Sequence, residues 1–290
     1  MLRDIIILSI AAVASALPRG ITVIPGGTVD TVTPLTALSS KGAGAVAARQ
    51  APAPAPVAPA PVAPAPVAAA AVPLRIMPLG ASVTFGTGST TGDSYRKNLL
   101  DQLVAAGQTV NFVGEFQNGN FTNPQVEATP GFVINQIANS SNVSVPKFLP
   151  NLVLLDAGTN NCNRGGTVPD AGANVSSLIG SIYAQSPGST VILTSVLVNK
   201  VPAQEACRVD VNNQYNALAA QLTGQGAKFV FVDMRSPDGP TVNDLADNRH
   251  PNDAGYVKMA NVWMQGIQQA LAKGFITAPV ANGVSAAGVA

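Results

Sequence analysis

The sequence predicts an α/β domain built on a doubly wound, mainly parallel sheet of five strands. Three observations predict it. Five short, almost continuously apolar runs read as strands buried on both faces. Four other stretches carry apolar residues at helical spacing. The two patterns alternate from residue 73 to about residue 276, and such alternation implies right-handed crossovers between parallel strands.

The strand candidates are residues 74–79, 109–113, 152–156, 190–197 and 228–232. The helical stripes are Tyr95, Leu99, Leu100 and Leu103, then Val175, Leu178, Ile179, Ile182 and Tyr183, then Val211, Tyr215, Leu218 and Leu222, and last Met259, Val262, Trp263 and Ile267. All of them, the single tryptophan included, are expected to pack against the sheet. About 200 residues suffice for one domain with a substantial core.

The flanks read differently. Met1-Leu2-Arg3-Asp4, an apolar run to Ala14 and the Ala14-Ser15-Ala16 pattern form an export signal, expected over residues 1–16. Residues 17–72 are expected to be a disordered pro-segment and linker. Within them, residues 51–67 repeat Pro-Ala-Pro-Val-Ala, and proline-dense chain of that kind forms an extended spacer. The segment before the spacer lacks the aromatic residues and cysteines that a small sugar-binding module needs. Residues 277–290 are small, uncharged and aperiodic, and are expected to fray.

Charged residues make up 11% of the chain, with a net charge of +1. A typical domain carries about 25%, and no basic block points to nucleic acid. Past the leader, no run reaches the ~20 apolar residues that a membrane helix needs. Two cysteines in an exported chain, Cys162 and Cys207, predict one disulfide, two buried thiols being the other reading. Sequons at Asn120, Asn139, Asn142 and Asn174 agree with a secreted glycoprotein. Nothing points to a partner subunit, and a monomer is expected.

Chemistry enters with Ser82, in Gly80-Ala81-Ser82-Val83-Thr84, at the end of the first strand. The carboxyl ends of parallel strands are where open α/β sheets place their ligands. His250 is the only histidine, and Asp247 precedes it by three residues. A serine hydroxyl needs a base to become a nucleophile, and imidazole suits that task near neutrality. An aspartate on the far nitrogen would hold the productive tautomer. Gly158-Thr159-Asn160-Asn161 follows the third strand, so three remote loops can meet at one rim. Asn252 is placed to cap the last helix.

Taken together, Ile76-Met77-Pro78-Leu79-Gly80-Ala81-Ser82-Val83-Thr84, Pro130-Gly131-Phe132-Val133-Ile134, Gly158-Thr159-Asn160-Asn161 and the segment from Asp247 to Tyr256 resemble the SGNH or GDSL hydrolases. The likeness is greatest to carbohydrate esterase family three, which includes acetyl xylan esterases, and it covers residues 74–272. It implies the three-layer, flavodoxin-like SGNH fold and no cofactor. It also implies Ser82 as nucleophile, His250 as base and Asp247 as its orienting acid. Oxyanion donors would be the Ser82 amide, the Asn160 side chain and Gly131, with Gly114 as the substitute for Gly131. Two positions depart from the family pattern, since Ala81 and Asn161 stand where aspartates are usual.

Competing motifs fit less well. The glycine-rich run Gly86 to Gly92 has neither dinucleotide nor P-loop spacing. Thr84 breaks the G-x-S-x-G elbow of α/β-hydrolases. One histidine and two cysteines make poor zinc ligands, and only an oxygen-ligated calcium site stays open. The expected activity is therefore secreted deacylation of carbohydrate. The alternatives are a short-chain or lipid acylhydrolase, and a catalytically weak wall-associated protein.

Overall fold

The structure is a computed structural model and describes residues 72–285. The expected export signal, the pro-segment and the Pro/Ala spacer up to residue 71 lie outside the described residues, as do residues 286–290.

The elements run β1 (Leu74–Gly80), α1 (Ser82–Phe85), α2 (Ser94–Ala105), β2 (Val110–Phe112), β3 (Phe116–Gln117), β4 (Gln125–Ala128), α3 (Ile134–Phe148), β5 (Leu152–Leu155), α4 (Ala171–Gln185), β6 (Thr190–Thr194), α5 (Pro202–Gly224), β7 (Phe229–Val232) and α6 (Asp253–Ala272). The sheet order is β3-β4-β1-β5-β6-β7, with β2 also paired to β1. Five strands match those read from the sequence. The prediction of five needs correction, because β3 and β4 add two more. These are two and four residues long, too short to show a period, and they form the only antiparallel pair among the described strands.

One edge of β1 serves two partners. Leu74–Ile76 pair with β2, while Leu79 and Gly80 pair with β4. The strand order therefore reverses at β1 and β5, and the carboxyl ends of these two strands open the crevice where such sheets bind ligands.

Alternate residues of the strands feed two cores. Met77, Leu79, Val153, Leu155, Val191 and Leu193 meet α3, α4 and α5 on one face. Leu74, Ile76, Leu152, Leu154, Ile192 and Val230 meet α2 and α6 on the other. Every residue of β1, β5 and β6 is buried, as expected for central parallel strands. All four helical stripes lie where the periodicity put them, and Trp263 is fully buried with its ring centroid 5.5 Å from that of Tyr95.

Residues 277–285 carry hydrogen bonds that the sequence does not signal. Arg75, buried in β1, donates from Nη1 to Val280 O at 2.9 Å and from Nη2 to Val284 O at 2.7 Å. Asn151 Nδ2 donates to Thr277 O at 2.7 Å. Among the described residues no helix is long and apolar enough to cross a membrane.

Candidate active site

β1 ends at Gly80, and the chain turns at once into α1, whose first residue is Ser82. The turn is tight. A Cβ at Gly80 would stand 2.3 Å from Thr84 Oγ1 and 2.7 Å from Asp156 O, so only glycine fits. Being first in a helical turn, Ser82 has an amide with no partner inside the helix, and it points outward with its neighbours. Ser82 is 5% exposed.

His250 reaches Ser82 from a closed hairpin before α6. Leu245 and Pro251 form a bridge, Ala246 N donates to His250 O at 2.8 Å, and Asn252 N donates to Asp244 O at 2.8 Å. Inside that hairpin Asp247 Oδ1 accepts the amides of Arg249 and His250, each at 2.8 Å. Its Oδ2 lies 2.7 Å from His250 Nδ1. With Nδ1–H donating to the carboxylate, Nε2 is left to accept, and it stands 3.0 Å from Ser82 Oγ. Burial pushes the Asp247 carboxyl up, but the His250 ring and the two amides outweigh it and bring it down to about 2. It is therefore ionised wherever imidazole is neutral.

The glycine-rich run after α1 packs against this hairpin. Gly88, at φ +94°, faces His250: a Cβ there would come 2.5 Å from Pro251 O and 3.1 Å from His250 Cβ. Thr90 donates to both carboxylate oxygens of Asp253, from N at 2.9 Å and from Oγ1 at 2.7 Å. Tyr256 Oη donates to Thr87 O at 2.7 Å. Asn252 caps α6 by accepting from Gly255 N at 2.9 Å.

The third wall is the 3₁₀ turn Thr159–Cys162 after β5. Asn160 Nδ2 donates to Phe132 O at 2.9 Å, and Asn160 Oδ1 accepts from Asn163 Nδ2 at 2.8 Å. Asn163 in turn accepts from Arg249 Nη1 at 2.5 Å, so the histidine hairpin and the asparagine turn are tied together. The second amide hydrogen of Asn160 remains available for a ligand. Gly131 sits in the loop before α3 at φ +89°, exposed and with open space around it. Gly114, the substitute considered for it, is pressed by the β4 backbone, with Val126 C only 2.3 Å from a built Cβ. Cys162 and Cys207 form a disulfide with Cα atoms 5.6 Å apart, clamping the turn to α5.

The two departures from the family pattern have different consequences. Asn161 Oδ1 accepts from Ile134 N at 3.1 Å at the start of α3, a bond that needs an oxygen and not a charge. Ala81 is buried in the apolar core. A carboxyl does lie beside it, just past the end of the neighbouring strand β5. Asp156, whose amide donates to Leu79 O at 3.0 Å, lines the same notch as Ala81, Ser82, Phe132 and Gly158. Asp156 is 4% exposed, and its Oδ2 has no hydrogen-bond partner. Burial pushes the carboxyl up to about 6, against the opposing pull of Arg208 and the Thr84 hydroxyl. In the sequence Asp156 reads only as the end of a strand; its signal is a lone acidic residue closing an apolar run.

Residues 79–258 match the model of the GDSL-like Lipase/Acylhydrolase family. The chain belongs to that family. Among solved structures, a family 3 carbohydrate esterase from Clostridium thermocellum is similar at 27% identity and a TM-score of 0.59, over 69% of this chain and 98% of that one. A carbohydrate esterase family 3 structure from Talaromyces cellulolyticus shares the fold at 23% identity and a TM-score of 0.60, over 69% and 99%. Among curated proteins, a multidomain esterase of Ruminococcus flavefaciens is 26% identical over 223 residues, 67% of this chain. A putative endoglucanase X of Acetivibrio thermocellus is 30% identical over 135 residues, 45% of this chain. The matches span 28% and 55% of those two relatives. This GDSL-family chain thus shares esterase and hydrolase relatives over its α/β domain.

Proposed function

We propose that the chain is an exported serine esterase that removes short acyl groups, acetyl above all, from carbohydrate such as plant-wall xylan. The observation that carries this reading is the 3.0 Å approach of His250 Nε2 to Ser82 Oγ, backed by Asp247 at 2.7 Å on the other ring nitrogen. Ser82 Oγ attacks the ester carbonyl carbon as its proton passes to His250 Nε2. Asp247 stabilises the imidazolium so formed. The oxyanion takes hydrogen bonds from the Ser82 amide, the Gly131 amide and Asn160 Nδ2; one such donor is worth about 10²–10³ in rate. His250 returns the proton to the departing sugar oxygen. Water, deprotonated by the same imidazole, then releases the acid and restores Ser82.

Two features favour a short acyl group on a sugar. The notch at Ser82 is small and offers no channel of its own for a long acyl chain. The names of the similar proteins, a family 3 carbohydrate esterase and a multidomain esterase, favour a carbohydrate leaving group. Export rests on the leader pattern and on the disulfide, since such bonds persist in oxidising compartments.

The decisive experiment is hydrolysis of an aryl acetate by wild type, Ser82→Ala and His250→Ala. Both variants are expected to lose about 10⁴-fold or more in kcat with unchanged thermal unfolding. Undiminished turnover in either variant refutes the assignment. Labelling of wild-type Ser82 by a serine-directed phosphonate separates an active esterase from a silent relative on the same fold.

A further inference from the structure

Next to the Ser82 notch, a groove of about 440 Å³ runs between the β3–β4 hairpin and α3. That volume lies in the range of small-ligand sites, ~300–1,000 Å³. Phe132 lines both the groove and the notch, and its carbonyl holds Asn160. A ligand in the groove is thus one side chain away from the reacting serine.

The groove combines two features that seldom serve one another inside a protein. Its walls are apolar and open: Phe116 is 44% exposed and Val143 66% exposed. Yet Glu127, which also lines it, is 1% exposed. Among the ion pairs of the described residues none involves Glu127; the nearby Lys147 pairs with Glu115. Glu127 Oε2 accepts from Glu115 N at 3.0 Å and Oε1 accepts from Ser140 Oγ. An ionised carboxylate has about four acceptor sites, so roughly two remain for donors from the groove. Burying it without such donors is costly. Gln136 Oε1 is committed to Val133 N, which leaves the Gln136 amide hydrogens free to face a ligand.

The occupant must therefore offer an apolar face to phenylalanine rings and hydroxyl donors to a carboxylate. A pyranose ring offers both. An acyl chain would offer Glu127 no donor.

We propose that this groove is a carbohydrate subsite that holds the sugar unit next to the acylated one, its ring face on Phe116 and Phe132 and its hydroxyls donating to Glu127. The proposal rests on the esterase reading in placing the acylated unit at Ser82.

Unacetylated xylotriose titrated into the Ser82→Ala protein tests it, with the side-chain amide signals of Gln136 and Asn139 as readout. The protein is made without N-glycans, because Asn139 begins a sequon on the groove wall. Saturable shifts of both amides are expected, with Kd raised about tenfold (~1.4 kcal/mol) by Phe116→Ala and by the isosteric Glu127→Gln. In the Ser82-containing protein, Phe116→Ala lowers the ratio of kcat/KM for acetylated xylotriose to that for an aryl acetate by about the same factor. Amides that do not move, or a Kd indifferent to both substitutions, overturn the subsite. Aryl acetate turnover by the wild type tests the esterase reading separately, since it needs no sugar.

Discussion

Two aspartates belong to the same site and are driven in opposite directions. Asp247, in the hairpin before α6, keeps a side chain 54% exposed and collects two amides and an imidazole; its carboxyl falls to about 2. Asp156, at the end of β5, is buried with an unpartnered Oδ2, and its carboxyl rises to about 6. The cation facing it, Arg208, spends Nη1 on the carbonyls of Leu197 and Val198, at 3.0 and 2.9 Å. Burial lifts Asp156, whereas at Asp247 the imidazole and the two amides outweigh burial and keep the carboxyl a permanent anion. Widely separated pairs of this kind mark acid–base sites.

The largest break in that contrast comes from Asp247→Asn. The amide keeps the shape but no longer stabilises an imidazolium, so kcat on an aryl acetate is expected to fall about 10³–10⁴-fold. A loss below about tenfold would mean that the exposed carboxylate does not act on the ring. Next comes the disulfide. Cys207 adjoins Arg208, and Cys162 ends the turn that follows Asp156, so the crosslink holds both charges of the buried pair in place. It spans 45 residues, for which chain entropy predicts a stabilisation of about 4 kcal/mol. Urea unfolding of Cys162→Ser/Cys207→Ser against wild type measures it. Equal midpoints would show that packing alone holds the turn.

The same contrast explains what could be read from the sequence. Asp247 was legible because a local spacing of three residues links it to the only histidine, and the hairpin keeps that spacing in space. The sheet was legible because strands buried on both faces are apolar throughout. Asp156 was not, since its meaning lies in Arg208 and Thr84, which only the fold brings near. β3, β4 and the groove were not either. Two-residue and four-residue strands carry no period, and α3 buries only Ile134, Ile137 and Val145 as large apolar residues, a stripe too sparse among Asn135, Asn139, Ser140 and Pro146 to stand out. The bonds from Arg75 to Val280 and Val284 span more than 200 residues of sequence, beyond any local signal.

Asp156 supplies the smallest and most discriminating test. Its carboxyl is raised in the folded chain, to about 6 from the ordinary 3.8. Between pH ~4 and ~6 the folded state therefore keeps a proton that the unfolded chain has lost. Stability must fall as pH rises through that window and level off above it, by about 2–3 kcal/mol for a shift of this size. Asp247 is shifted the other way; its contribution is complete above pH ~4 and is lost only as pH falls towards 2, so it does not mask the window. Urea unfolding at several pH values from 4 to 7 should show the slope in wild type and its loss in Asp156→Asn, which cannot titrate. An Asn variant with the wild-type slope would place that proton on another group and leave Asp156 as an ordinary anion paired with Arg208.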